Sequence, residues 1–284
     1  MQRRTYISSF LIFFISSFLT LLLAACDHIS DIDRIYDPIV AEDGQKDGQQ
    51  DETQESVQRV VLLEDFTGQR CTNCPKATDV IELLQELFGD KIVAVGIHGG
   101  PLAFAGSAKA VGLKTNTGDE YYNHWKMEYQ PVGLVNRHGA LNYSEWTDAV
   151  KNELVKPTTL RLYGTATTSG GSVTIEITAE GTQGTTQGKL QVWLLEDGIK
   201  ALQLMPDGTA NQEYIHNHVF RTAVNGTWGE DFNVEEGKTI QRTMTQTLDS
   251  KWNPEQLCIV AFVYNDGGVQ QTVKIKVENL KLET

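Results

Sequence analysis

Residues 64–76 read EDFTGQRCTNCPK. Cys71 and Cys74 stand two residues apart, with Pro75 directly after the second. Two thiols at this spacing can close a disulfide and trade it with another, because attack by one thiolate leaves a mixed disulfide that the other resolves. The same pair could be half of a zinc site or a structural staple. Zinc needs two further ligands at suitable spacing, and the chain holds no second CxxC and no HxxxH. As a staple the pair has little value, since CxxC closes a very small ring and removes little chain entropy. Exchange is the leading chemistry, and a binding module with an inert pair is the alternative.

Exchange requires a sulfur that ionises easily, so the flanking elements matter. VQRVVLLEDF before the pair is expected to be a buried strand. PKATDVIELLQELFGD after it is expected to be an amphipathic helix, with Val80, Leu83, Leu84 and Leu87 at helical spacing and Gly89 at its end. Cys71 then falls exposed at the helix N-terminus, where unpaired backbone N–H groups and the helix dipole favour a thiolate. Arg70 adds a positive neighbour. Cys71 is the expected nucleophile, and Cys74, one turn on and more buried, the resolving thiol. Pro75 suits a first turn, where a missing N–H costs little. KIVAVGIHGG is the next buried strand, and strand, helix, strand with short links implies a right-handed parallel crossover. His98 ends that strand on the same edge as the cysteines. It can relay protons or bias the thiolate there; it can equally cap the Gly-rich turn.

Further along, a helix is expected around GDEYYNHWKMEY and a third strand at PVGLVNR. YSEWTDAVKNELVK reads as an amphipathic helix capped by Ser144 or Asn142, with Trp146, Val150 and Leu154 on one face. From residue 158 the pattern changes. LRLYGTAT, SVTIEITAE, KLQVWLLED, YIHNHVFRTA, TIQRTMTQTL, LCIVAFVYND and QTVKIKVENL are strand-like segments separated by Gly, Asp and Asn turns. Several alternate apolar with polar residues, which predicts an antiparallel β-sandwich, immunoglobulin-like in outline. His216 and His218 would share one strand face and are weak candidates for a metal, with Asp207 and Glu213 nearby in sequence; a polar sandwich surface is the simpler reading. Trp228 in NGTWGEDF is expected to anchor a loop. Cys258 sits in an apolar run and is expected to be a buried small hydrophobe. No cofactor is expected.

The order strand, CxxC, helix, strand, Pro-led strand, helix resembles the thioredoxin fold. VLLEDFTGQRCTNCPK, Asp65 six residues before Cys71, and Pro131 in YQPVGLVNR carry the resemblance. It implies that Asp65 is a buried acid shuttling protons to the second cysteine. It also implies that Pro131 is a cis-proline opening the strand that faces the cysteines. Two departures matter. Arg-Cys-Thr-Asn-Cys replaces Trp-Cys-Gly-Pro-Cys, so no redox potential carries over. Segment 99–129 is longer than that fold needs and would cap the active-site edge. Alternation puts only one of Glu64 and Asp65 inward, so the acid is open by one position.

The 284 residues carry a formal net charge of −13 and no Lys/Arg stripe, which excludes nucleic acid as a partner. MQRR and the apolar run that follows have the composition of a signal peptide over residues 1–25. Leu23-Ala24-Ala25-Cys26 resembles a lipobox, which would leave Cys26 as a lipid-bearing N-terminus on a membrane; a retained signal anchor is the alternative. Residues 27–56 hold ten acidic and two basic side chains. Residues 26–56 therefore read as a lipidated, disordered tether. Export makes a disulfide permissible. The expected partners are thiols or disulfides of exported proteins, or an extracellular ligand. The expected domains are a thioredoxin-like unit over 57–156 and the sandwich over 158–284.

Taken together, LLEDFTGQRCTNCPK, AVGIHGGP, DEYYN, QVWLLEDG, EYIHNHVFRTAVNGTWGEDF and CIVAFVYND are similar to the Bacteroidales outer-membrane lipoprotein family named for its twenty-eight-kilodalton size. The resemblance implies a lipid-anchored, outer-membrane, periplasmic or surface-exposed protein. It implies no established activity, and it makes an adhesin or receptor the alternative to an enzyme.

Overall fold

The computed structural model describes residues 57–279. The expected signal peptide over 1–25, the expected lipid site at Cys26 and the expected tether over 26–56 lie outside the described residues. The described residues 57–279 fall in one compact unit, so the division near 157 is one of composition and topology rather than of separate bodies.

Strand β1 (Val61–Thr67) is buried along its whole length. It runs parallel to β2 (Ile92–His98), with Thr67 opposite His98, so the two strands end side by side. Helix α1 (Cys74–Phe88) makes the crossover and ends at Gly89, which takes a left-handed φ of 55°. The buried stripe of α1 is Cys74, Ala77, Ile81 and Leu84, whereas Leu83 and Leu87 are 48% and 38% exposed. Two apolar stripes lie side by side on this helix. The strand pair takes the one with small Ala77, a choice that periodicity alone does not make.

Helix α2 (Asn116–His124) is capped by Thr115, whose side chain accepts from Gly118 N–H. Strand β3 (Val132–Val135) pairs antiparallel with β1, Val132 opposite Phe66. Strand β4 (Ala140–Leu141) pairs with β3. Asn142, not Ser144, caps the turn that leads into α3 (Trp146–Leu154), in a reciprocal box with Glu145. Helices α1 and α3 cover one face of β1 and β2 through Ile81, Leu84, Trp146 and Val150 packed on Val61, Leu63 and Ala94.

The rest of the described chain is strand. It comprises β5 (Leu160–Ser169), β6 (Ser172–Gly181), β7 (Thr186–Glu196), β8 (Ile199–Leu204), β9 (Ala210–His216), β10 (Val219–Ala223), β11 (Glu230–Val234), β12 (Thr239–Thr247), β13 (Leu257–Asn265) and β14 (Gly268–Asn279). The main sheet has the order β12-β6-β5-β14-β13-β7-β10-β2-β1-β3-β4, with β11 also on β7, while β8 and β9 form a separate hairpin. All seven expected segments contain strand. YIHNHVFRTA, however, is cut in two between His216 and Val219. The layer is not wholly antiparallel as expected, because β14 pairs parallel with β5 through Val277 opposite Ala166. An unpartnered edge of β14 would leave N–H and C=O groups open, and β5 closes it in the one direction its chain runs.

Strands β7 and β13 are buried on both faces. Leu190, Val192, Leu194, Ile259, Ala261 and Val263 pack with β5, β6 and β11. Trp193, Leu195, Val260 and Phe262 pack instead with Leu62, Phe66, Val95 and Tyr121. That is why QVWLLE and LCIVAFV read as unbroken apolar runs rather than alternating ones. The two halves meet edge to edge where Val219 of β10 pairs with Gly96 of β2.

Candidate functional site

Cys71 and Cys74 form a disulfide with their Cα atoms 5.4 Å apart. Both residues are 2% exposed. The expectation of an exposed Cys71 at a helix tip is therefore wrong on two counts. Helix α1 begins at Cys74, with Asn73 as its N-cap, and Cys71 lies before it in a turn closed by its own N–H on the Gly68 carbonyl (2.9 Å). Two distant segments also lie over that turn.

The first cover is the loop after β2. Arg70 N–H donates to the Leu102 carbonyl (3.0 Å), and the Arg70 guanidinium lies 4.8 Å from the Phe104 ring centre. A Cβ at Gly68 would fall 2.5 Å from the Leu102 carbonyl, so glycine there permits the close approach. The second cover is the β8–β9 hairpin. Gln203 Nε2 donates to the Cys71 carbonyl (2.8 Å), and Leu204 N–H donates to the Gln69 carbonyl (2.9 Å). Gln69, fully buried, ties both covers together. Its Nε2 donates to the carbonyls of Val111 (3.0 Å) and Leu202 (3.1 Å), and its Oε1 accepts from Leu113 N–H (2.9 Å).

Behind the disulfide is a cavity of about 100 Å³ whose lining includes Asp65, Cys74, His98, Tyr214 and His216. Asp65 is buried, and its Oδ1 has no hydrogen-bond partner. Burial pushes its carboxyl up to about 8, so it is uncharged at neutral pH. Glu64 leaves β1 on the other face, bonded twice to Arg137 at 3.1 Å. The ambiguity between the two acids thus resolves toward Asp65. His98 lines the cavity with Cys74, and its ring centre is 5.5 Å from that of His216. Neither ring nitrogen of His98 has a hydrogen-bond partner. Burial first, and then the neighbouring His216, depress His98 to about 3; burial depresses His216 to about 4. The Gln130–Pro131 peptide is cis. Gln130 Nε2 donates to the Thr67 carbonyl (2.6 Å), which holds this bend at the end of β1 from which the cysteine turn departs.

The expected pairing of His216 with His218 does not form. The strand stops after His216, and His218 takes a left-handed φ of 54° while its N–H donates to Asp197 Oδ1 (2.5 Å). Asp207 instead accepts from Thr209 in the hairpin turn, and Glu213 pairs with Lys200 at 2.5 Å. Among the described residues no three His, Cys, Asp or Glu side chains gather as a metal site. Cys258 is free and buried, its thiol pushed up to about 12 by burial. Trp228 anchors its loop as expected, with Nε1 donating to Glu120 (3.3 Å).

Sequence reasoning did not find Gln69, Gln203 or the approach of His216 to His98. Buried amides carry no spacing signature. The Glu64–Arg137 pair did leave a trace, a carboxylate inside the apolar run VLLEDF.

Fold and site together define a predominantly β protein with three α-helices among its described residues and a covered CxxC disulfide. A family model described as outer membrane protein Omp28 matches residues 118–281, and the chain belongs to that family. The matched stretch includes Pro131 and the hairpin but starts after the cysteine pair. HBP35 of Porphyromonas gingivalis shares 14% identity, with 81% of this chain and 79% of that chain covered and a TM-score of 0.60, which is a likeness of fold. A domain of the outer membrane lipoprotein Omp28 from Porphyromonas gingivalis shares 25% identity over 45% of this chain and 94% of that one, with a TM-score of 0.33. No curated protein matches.

Proposed function

We propose that this outer-membrane family member is a lipoprotein, anchored through Cys26, whose thioredoxin-like half exchanges thiols and disulfides with exported proteins. The observation that carries the reading is a buried, uncharged Asp65, its Oδ1 without a hydrogen-bond partner, lining one cavity with Cys74. An inert staple has no use for a buried carboxyl, which costs about 1–3 kcal/mol when left unsatisfied. The sheet order β2-β1-β3-β4 with two helices on one face supports the thioredoxin-like description.

The chemistry runs in two steps. A substrate thiolate attacks Cys71 Sγ and forms a mixed disulfide. The Cys71–Cys74 bond breaks, and Cys74 leaves with its electron pair and takes the Asp65 proton. The second substrate thiolate then attacks its own sulfur in the mixed disulfide and releases Cys71. The substrate dithiol is oxidised and the protein disulfide reduced. In reverse, Cys71 attacks a substrate disulfide, Cys74 resolves it and Asp65 accepts the proton. In either direction a cover must lift, because both cysteines are buried and the hairpin is fastened to the Cys71 carbonyl.

The alternative is a surface binding or adhesion lipoprotein with an inert disulfide, and the burial of both cysteines favours it. One experiment separates the two. Membrane-bound wild type and Cys71→Ser are compared for disulfide exchange with a peptide dithiol, and for thiol alkylation before and after a mild reductant. Wild type should exchange at least about tenfold faster, and Cys26→Ala should leave the membrane fraction. Equal rates would remove the enzyme reading and leave the adhesion one.

A further inference from the structure

The Glu64 face of β1 leads to a second cavity, of about 700 Å³, on which the disulfide chemistry makes no claim. Trp125, Trp228, Tyr264 and His124 contribute aromatic wall, and Arg137 also lines it. We infer that this cavity binds a neutral saccharide.

The walls are fixed before any ligand arrives. Trp228 is held through Nε1 on Glu120, its carbonyl accepts from Tyr264 OH (2.8 Å), and the His124 ring lies 4.2 Å from its own. A cavity of this size falls in the range of about 300–1,000 Å³ usual for small-ligand sites.

Charge decides the ligand class. Arg137 is neutralised by its paired bonds to Glu64, and Lys189 by Asp231 at 2.6 Å. An anion therefore finds no free positive charge and meets exposed Asp266 at the rim. An aromatic wall would attract a cation. Here the Arg137 guanidinium, 4.3 Å from the Tyr264 ring centre and 5.8 Å from that of Trp125, already takes the cation's place over those rings. A neutral ligand remains.

Hydrogen bonding narrows it further. Arg137 Nη1 and Trp125 Nε1 are buried donors without an acceptor among the described residues. Each wants an oxygen, at a cost of about 1–3 kcal/mol while it has none. Gln187 adds an amide that can both donate and accept, whereas the Asn265 amide is already engaged, Nδ2 donating to the Gln187 carbonyl and Oδ1 accepting from Gly267 N–H. A sugar ring presents flat C–H faces to indole and phenol and several oxygens at its edge. A plain aromatic ligand would fill the walls and leave the donors unmet.

The test is calorimetric titration of the full chain with maltotriose, cellotriose and the trimer of N-acetylglucosamine, with benzoate and choline alongside. At least one trisaccharide should bind saturably. Trp228→Ala should weaken it about tenfold or more, with an unchanged circular dichroism spectrum; Gln187→Ala, on the exposed rim, should weaken it if the first variant misfolds. Cys71→Ser should bind as wild type does, which keeps this site separate from the disulfide. No saturable binding of any of the three sugars, or Trp228-dependent binding of benzoate or choline in their place, overturns the inference.

Discussion

An uncharged carboxyl at Asp65 and two uncharged imidazoles at His98 and His216 set opposite demands on pH. Asp65 is raised from 3.8 to about 8. Its contribution to stability is fully present below pH 3.8 and is lost as pH climbs toward 8. His98 and His216 are lowered from 6.5 to about 3 and about 4. Their contribution is present above pH 6.5 and is lost as pH falls. Each group can tilt stability by at most about 1.4 kcal/mol per pH unit. Between about pH 4 and 6.5 the two histidines outweigh the one acid; above 6.5 the acid acts alone. Urea midpoints should therefore peak near pH 6.5. Asp65→Asn should abolish the decline above that pH, and His216→Gln should flatten the acid side. An equal dependence of the wild-type and Asp65→Asn midpoints on pH between 6.5 and 8 would show that Asp65 ionises in the fold as an ordinary carboxylate does.

The β8–β9 hairpin lies over the cysteine turn. Its base carries two left-handed residues, Gly198 (φ 71°) and His218 (φ 54°), and Asp197 and Asn217 hold the backbone amides of those residues. Its tip end is fastened to the cysteine turn by Gln203 and Leu204. Gln203→Ala removes the bond to the Cys71 carbonyl, worth about 1–1.5 kcal/mol. Reduction of the disulfide by dithiothreitol should then run about 5–13 times faster, read by alkylation of the released thiols. An unchanged rate would mean that the loop over 102–113 is the true barrier. This hairpin was the least legible element, because ALQL and NQEYIH mix apolar and amide residues without a sustained period. The strands of β7 and β13 were legible from composition, whereas their double-sided burial was not.

At the scale of the whole molecule, β7 and β13 are shared property. One face of each completes the core with β5 and β6, the other completes the core with β1, β2 and α2. A fragment of residues 158–284 would present Trp193, Val260 and Phe262 to water, an apolar patch of the kind that drives association. It should be oligomeric or aggregated by sedimentation, and the intact protein should unfold in one cooperative step. Two well-separated urea transitions in the intact chain would show that the halves are independent after all. The compositional border near Pro157 marked a real change from α/β to β pattern, but not a seam in the packing.

The succession of elements from β1 to β3, the CxxC pair, the acid six residues before it and the family membership were readable from the chain alone, because each rests on residues close together in sequence. Whether Cys71 meets solvent was not, since that depends on Gln203, 132 positions away. The side chain that faces the cavity, Asp65 rather than Glu64, and the stripe of α1 that turns inward were likewise settled by packing. Local pattern offers alternatives of nearly equal merit at those positions, and only the contacts of the folded chain separate them.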